Sequence, residues 1–600
     1  MVYPVGSKQT LSMLTRDGVR LDADVYRPDS ADSFPVLLMR QPYGRAIAST
    51  VVYAHPSWYA AQGYIVVIQD VRGRGSSTGE FELFAHEITD GEDAVNWAAN
   101  LPQSNGQVGM YGFSYQGMTQ LYAAAARPPA LKTICPSMIG YDLYHDWAYE
   151  GGAFCYQLNL GWAIQLASET ARRQANSDAY RTLYTAARNL PITDPVDLHS
   201  GILNQLAPNS HYHDWLAHPE PDAYWQTLSP CSYMENVDLP MLHIGGWYDT
   251  HLRGTLRFYR DMAARSRFPQ HLIVGPWAHL PWGRKVGSVD YGPEANSPID
   301  RLQLRWFDQF LKGIDTGLLD QPPVCLFEMG SNRWRQFDQF PSPAPIAYRL
   351  VTTGLAAMDE REGRLEPVRD GGDAAREPRR TRGDGDSTQC FAASDKTQNS
   401  NLGSADSPEA KTQNLKHCLP DTLVHDPWRP VPSLGGHAGF PAGSFERSAI
   451  DCRSDVLTYT TEPLAADLHL AGEITVELYC TADTPSFDLC AILSEVKPNG
   501  SVYNITQAYQ RLPSPRSARL TSRISPTPHQ LTLQPTCIRI PQGSAIRLSI
   551  SAACFPAYGV NPGMGAAVHQ GCLLDAGVIT IAIFSESNGL SCVYLPIQQN

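Results

Sequence analysis

The stretch GMYGFSYQGMTQLYAAAA, Gly109–Ala126, decides how this chain is read. A short apolar run enters it, an alanine-rich helical run leaves it, and Ser114 sits at the bend. A strand that turns sharply into a helix exposes its turn residue at the end of a sheet, which is where a serine nucleophile of an α/β enzyme sits. The neighbours of such a serine must be small, because strand and helix pack closely. Gly112 fills the first position of G-x-S-x-G. The last position holds Gln116, and the glycine follows one residue later as Gly117. On this motif alone a plain turn serine is the better reading.

The flanking sequence changes the balance. TLSMLTRDGVRLDADVYRP carries two alternating runs around Asp17-Gly18, a hairpin signal. FPVLLMRQPYG, GYIVVIQDVRG and GQVGMYGFS are apolar runs that suit buried parallel strands, and EITDGEDAVNWAANL is an amphipathic helix. From 141 to 238 long helical stretches dominate, such as AFCYQLNLGWAIQLASETARRQA, and no clear strand interrupts them. The alternation then resumes with LPMLHIGGWYD, TLRFYRDMAARS, QHLIVGPWAH and DRLQLRWFDQFLKG. The expected arrangement is an α/β core over 1–140 and 239–350 with a helical insertion over 141–238.

The remainder reads as β. Residues 356–418 are polar and poor in aromatics, so a flexible loop or linker is expected there. Over 419–600 many short alternating runs recur, with a hairpin signal at Asn499-Gly500, which predicts a sandwich or jelly roll.

Bulk composition excludes several classes. The chain has 600 residues, a net charge of −13 and no basic stripe, which argues against nucleic-acid binding. No run of 18 apolar residues predicts a membrane span. The first residues lack a long apolar core and a cleavage site, so no signal peptide is expected. The 13 cysteines are scattered without a C-x-x-C pair. Reduced thiols in a cytoplasmic protein fit that pattern better than disulfides or zinc, and no metal or cofactor is expected.

Two residues supply the rest of an acyl-transfer chemistry. A serine hydroxyl is a weak nucleophile, so a histidine must take its proton and a carboxylate must orient that histidine. Asp249 follows the strand MLHIGGWY and His279 follows LIVGPWA, giving the order Ser, acid, His. Each has a plain alternative: Asp249 as a helix cap, His279 as a loop histidine. Three such residues in order, each at a strand end, favour the catalytic reading. His243 reads as a core residue, and His251 and His271 sit at less suitable places. The oxyanion needs two donors. The backbone N–H of Tyr115 is one, and the Tyr43 hydroxyl in RQPYGR is a candidate for the other, against an aromatic plug beside a proline turn.

Taken together, RQPYGR, QDVRGRGSSTGEF, MYGFSYQGMTQ, HIGGWYDTHLRGTLRFY, VGPWAH and LVHDPWRPVPSLGG resemble the cocaine-esterase/X-Pro dipeptidyl-peptidase-like family of serine hydrolases. The family's elbow, Gly-x-Ser-Tyr-x-Gly, accounts for the displaced glycine. The resemblance implies an α/β-hydrolase core with an inserted helical cap and a C-terminal β jelly-roll domain. It implies Ser114, Asp249 and His279 as triad, Tyr43 and Tyr115 as oxyanion donors, and Trp147 and Trp162 as pocket residues. The implied partner is a small-molecule ester or amide, with no cofactor, no nucleic acid and no membrane, and a homo-oligomer stays open. The chain starts directly at the first hairpin, which favours an esterase or acylase. The alternatives are an X-Pro dipeptidyl-peptidase, which needs a carboxylate such as Glu150 to hold a free amino group, and an inactive core with a carbohydrate-binding jelly roll.

Overall fold

The computed structural model describes residues 2–46, 50–359, 361–368, 420–514, 526–565, 571–585 and 591–598. Ten strands form the first sheet: β1 (Gln9–Leu14), β2 (Arg20–Tyr26), β3 (Phe34–Gln41), β4 (Ile65–Asp70), β5 (Ser104–Phe113), β6 (Leu131–Ser137), β7 (Met241–Tyr248), β8 (Gln270–Ala278), β9 (Val324–Glu328) and β10 (Arg333–Phe337). Their spatial order is β1-β2-β4-β3-β5-β6-β7-β8-β9-β10. From β4 to β9 neighbouring strands are parallel, and the antiparallel pairs lie at the two edges.

Parallel neighbours need crossover helices, and these cover both faces. Alternate residues of one strand therefore enter different cores. Val36 and Leu38 of β3 pack with the helices Glu87–Ala99 and Tyr115–Ala125. Leu37 and Met39 pack with Pro56–Ala61 and Ile299–Leu311 on the other face. This is why every residue of β3, β4, β7 and β8 is buried. Each fully buried Val, Leu or Ile contributes about 1.5–3 kcal/mol.

Helices also dominate between β6 and β7, the longest being Tyr156–Arg173 and Ser177–Arg188. Here the structure departs from an all-helical expectation. A π-helical turn, Tyr144–Ala148, leads into two-residue strands Tyr149–Glu150 and Ala153–Phe154 that pair with each other. Such segments are too short for a hydrophobic period to reveal.

A second, mostly antiparallel sheet of eleven strands follows. Its hairpin Ser486–Val496/Val502–Pro513 turns at Asn499-Gly500. Two of its strands correct the expected divisions. Ile346–Val351, placed with the first region by its position, pairs with Cys592–Leu595 of the second sheet. Arg364–Pro367, inside the stretch expected as a linker, pairs with Ile346–Val351. Both are short, and partners far along the chain define them. Residues 369–418 of that stretch lie outside the described residues. Among the described residues no helix is long and apolar enough to cross a membrane.

Three distant parts of the chain meet at Glu150. Its buried Oε2 accepts from Arg253 Nη1 at 2.8 Å, His437 Nε2 at 2.9 Å and the Tyr558 hydroxyl at 2.5 Å. Burial by itself would raise the Glu150 pKa, but Arg253 and His437 outweigh it and hold it at about 2. A lowered carboxyl pKa stabilises the fold above the ordinary 4.5, and that contribution is lost as pH falls toward 2.

Candidate active site

β5 ends at Phe113, the helix Tyr115–Ala125 begins at once, and Ser114 takes the bend at φ 58°, ψ −128°. That conformation costs a non-glycine residue about 1–3 kcal/mol. It is held by Ser114 N–H donating to Ser137 O (2.9 Å) and by Met118 N–H donating to Ser114 O (2.9 Å). Close packing explains where the glycines fall. A Cβ on Gly117 would lie 2.3 Å from Ile139 Cγ2 and 2.9 Å from Ser137 O. A Cβ on Gly112, itself at φ 141°, would lie 2.5 Å from Gln116 Cβ. Position 116, by contrast, accommodates a buried glutamine, whose Oε1 accepts from Phe113 N–H at 3.4 Å. The shifted glycine is a packing requirement of this bend.

Asp249 and His279 follow the ends of the adjacent parallel strands β7 and β8. His279 Nδ1 and Asp249 Oδ1 are 2.8 Å apart. Asp249 is fully buried and its Oδ2 has no hydrogen-bond partner, whereas the His279 side chain is 27% exposed. The carboxylate thus lies behind the imidazole, which faces open space. Phe113 packs on the His279 ring at 5.5 Å, and Trp282 Nε1 donates to His279 O at 3.1 Å.

Tyr43 lines the same cleft as Ser114, and its hydroxyl oxygen accepts from Trp162 Nε1 at 3.1 Å. Burial pushes the Tyr43 pKa up to about 12, so this group is a neutral donor across the physiological range. Its backbone is fixed from below: Tyr43 N–H donates to Gln41 Oε1 (3.0 Å), and Gln41 Nε2 donates to Asp70 Oδ1 (3.1 Å). Tyr115 is buried, and its hydroxyl donates to Glu87 Oε1 (2.8 Å), which Arg40 Nη1 reaches through Oε2 (2.6 Å). This buried network anchors the residue whose backbone N–H starts the helix.

Ser114, His279, Tyr43, Trp147 and Trp162 all line one cleft of about 1820 Å³, larger than the usual 300–1,000 Å³ of a small-molecule pocket. Asp249 and Tyr115 sit behind its wall. Trp147 and Trp162 meet at 4.9 Å, tilted by 37°. The structure adds residues that no local sequence signal marks. His251 packs on Trp147 at 4.1 Å and lies 5.1 Å from the His279 ring; burial lowers its pKa to about 4, so it is a neutral ring beside the site. Phe440 and His437 of the second sheet region complete the wall. His243 and His271 are buried in β7 and β8, away from the cleft lining.

The carboxylates that line the cleft are Asp24, Asp70 and Glu169. Each is engaged: Asp24 with Lys8 and Arg45, Asp70 with Arg45, and Glu169 with Arg172. Glu150, a candidate for an amine-binding carboxylate, is engaged through Oε2 by Arg253, His437 and Tyr558 and is not among the residues lining the cleft, which speaks against that role.

Comparison with known proteins bears on the family of the chain. Residues 17–281 match the family model of X-Pro dipeptidyl-peptidase (S15 family), and residues 316–573 match that of the X-Pro dipeptidyl-peptidase C-terminal non-catalytic domain. Cocaine esterase of Rhodococcus sp. (strain MB1 Bresler) is 29% identical over 627 aligned residues, covering 99% of each chain. Among solved structures, an aminopeptidase from a marine sediment Thaumarchaeota archaeon superposes with a TM-score of 0.74 at 20% identity, covering 99% of this chain and 96% of that one. An α-amino acid ester hydrolase superposes with a TM-score of 0.73 at 22% identity, covering 99% and 97%. Two family models that follow one another along most of the chain and a relative matched end to end lead to one assignment: the chain belongs to the cocaine-esterase/X-Pro dipeptidyl-peptidase family of serine hydrolases.

Proposed function

We propose that this serine hydrolase is an esterase or acylase whose triad is Ser114, His279 and Asp249. The observation that carries the proposal is the convergence in one cleft of a strained serine, a tyrosine hydroxyl and a histidine backed by a buried carboxylate. His279 takes the proton of Ser114 Oγ as that oxygen attacks the carbonyl carbon. The Tyr43 hydroxyl and the Tyr115 N–H stabilise the oxyanion. His279 returns the proton to the leaving alcohol or amine, leaving an acyl group on Ser114. Water, activated by His279, attacks the acyl-enzyme and releases the acid. In this reading the ten-stranded sheet is an α/β-hydrolase core, the helices between β6 and β7 form its cap, and the second sheet forms a jelly roll. Trp147 and Trp162 pack against the acyl group. The cysteines among the described residues are free thiols, which fits a cytoplasmic protein.

Tyr43→Phe removes one donor and leaves the ring. The expected loss in kcat is about 10²- to 10³-fold, with KM nearly unchanged, in steady-state hydrolysis of a p-nitrophenyl ester. An unchanged kcat would remove Tyr43 from the oxyanion site.

Ester rather than X-Pro cleavage is favoured by the cleft's charges. A peptide amino terminus is an ammonium that needs an unengaged carboxylate, and those lining the cleft among the described residues are all ion-paired. The direct test compares p-nitrophenyl butyrate with an X-Pro p-nitroanilide. We expect turnover of the first and none of the second, with a fluorophosphonate adduct found on Ser114 by mass spectrometry. Preference for the X-Pro amide would return the peptidase reading, and no adduct on folded protein would point to an inactive core.

A further inference from the structure

A buried glutamine of the second sheet reaches the loop that carries Asp249. Gln534 lies on the strand Thr527–Ile540 and is 2% exposed. Its Nε2 donates to Trp247 O at 2.9 Å and to Asp249 O at 3.1 Å, while its Oε1 has no partner. Both N–H groups are thus spent on the two carbonyls that flank the end of β7. The strand is built to aim this side chain. Opposite it, Gly472 pairs with Thr536 and Ile474 with Leu533, so Gln534 and Pro535 together face the single residue Glu473. That is a bulge, and a bulge turns a side chain out of the ladder's regular direction. Pro535 has no N–H to lose from the ladder. Thr506 Oγ1 donates to Gln534 O at 2.5 Å and fixes the bulge from behind.

The same strand is docked on the first sheet independently of Gln534. Met329 N–H donates to Cys537 O at 2.9 Å, and Arg539 N–H donates to Met329 O at 2.8 Å. Glu473, opposite the bulge, meets Arg260 at 2.6 Å, on the helix Leu252–Arg265 that follows Asp249. The strand that carries the bulge is thus docked beside the acid loop by backbone hydrogen bonds that do not involve Gln534.

We infer that Gln534 is a positioning residue for hydrolysis: through Trp247 O and Asp249 O it fixes the backbone that aims the Asp249 carboxylate at His279 Nδ1. It touches neither substrate nor reacting atoms. The inference rests on the proposed role of Asp249, whose buried carboxylate has no hydrogen bond to Oδ2 that could aim it otherwise.

The test is a double-mutant cycle on the full chain with Gln534→Met, which keeps length and bulk but removes both donors, and Asp249→Asn. Each variant is assayed for kcat and KM on p-nitrophenyl butyrate and for the first-order rate constant of Ser114 phosphonylation by a fluorophosphonate. That rate constant is a property of the folded molecules and does not depend on how much of a preparation has folded. Gln534→Met is expected to lower kcat and the phosphonylation rate constant by roughly 10- to 100-fold, with KM within about twofold. In the Asp249→Asn background it is expected to add less than about twofold, because its effect passes through the carboxylate. Wild-type rate constants in Gln534→Met, or the full loss repeated in the Asp249→Asn background, would overturn the inference. Wild-type kcat in Asp249→Asn alone would instead overturn the proposed triad, and the inference with it.

Discussion

Ser114→Ala is expected to abolish ester turnover, with kcat falling by roughly 10⁶-fold toward the residual rate that the oxyanion donors and binding can sustain. The argument has two parts. The hydroxyl is the only atom removed, so the cleft, the Tyr43 donor and the His279–Asp249 pair keep their places. The backbone at φ 58° is unchanged, and alanine is as strained there as serine, so Tm should move little. Ser114→Gly separates the two effects. It is equally inactive but relieves the conformation, and should be more stable than Ser114→Ala by about 1 kcal/mol. Steady-state kinetics on p-nitrophenyl butyrate, read beside thermal unfolding, check both. Residual kcat within tenfold of wild type would move the nucleophile elsewhere.

Asp249→Asn should cost about 10⁴-fold in kcat with little change in KM. Asp249 Oδ1 lies 2.8 Å from His279 Nδ1, and Oδ2 has no partner, so the carboxylate's one recorded side-chain contact is with the imidazole. An asparagine of the same shape can present its NH₂ to Nδ1. That stabilises the tautomer with the proton on Nε2, which cannot accept from Ser114. It also withdraws the charge that stabilises an imidazolium as the reaction proceeds. Fluorophosphonate labelling should slow in parallel, since it uses the same proton transfer. A loss under tenfold would mean that a different group orients His279.

The candidate site was legible where it follows buried strands. Ser114, Asp249 and His279 come directly after β5, β7 and β8, whose apolar runs mark their own ends, and parallel neighbours bring those ends together. Order along the chain then stands in for proximity. His251 was not legible, because its place depends on the π-helical turn Tyr144–Ala148 delivering Trp147 against it. Glu150 looked available because its three partners are Arg253, His437 and Tyr558, the last 408 positions away. Gln534 is 285 residues from Asp249, and its one local mark is Pro535 inside a strand-like run, which signals a bulge but not its target. Two inner strands of the second sheet were hidden for a related reason: Ile346–Val351 and Arg364–Pro367 are short, and only pairing defines them.

The cluster at Glu150 bears on how such chains can be recombined. Glu150 and Arg253 lie within the segment matched by the first family model, and His437 and Tyr558 within the segment matched by the second. A chimera that grafts the C-terminal half of one relative onto the N-terminal half of another would separate these partners. If the incoming half lacked His437 and Tyr558 equivalents, a buried carboxylate would lose two of its three hydrogen bonds, and removing one partner from a buried charged cluster costs about 3–5 kcal/mol. The two halves are thus coupled through one buried charge, although sequence comparison divides them.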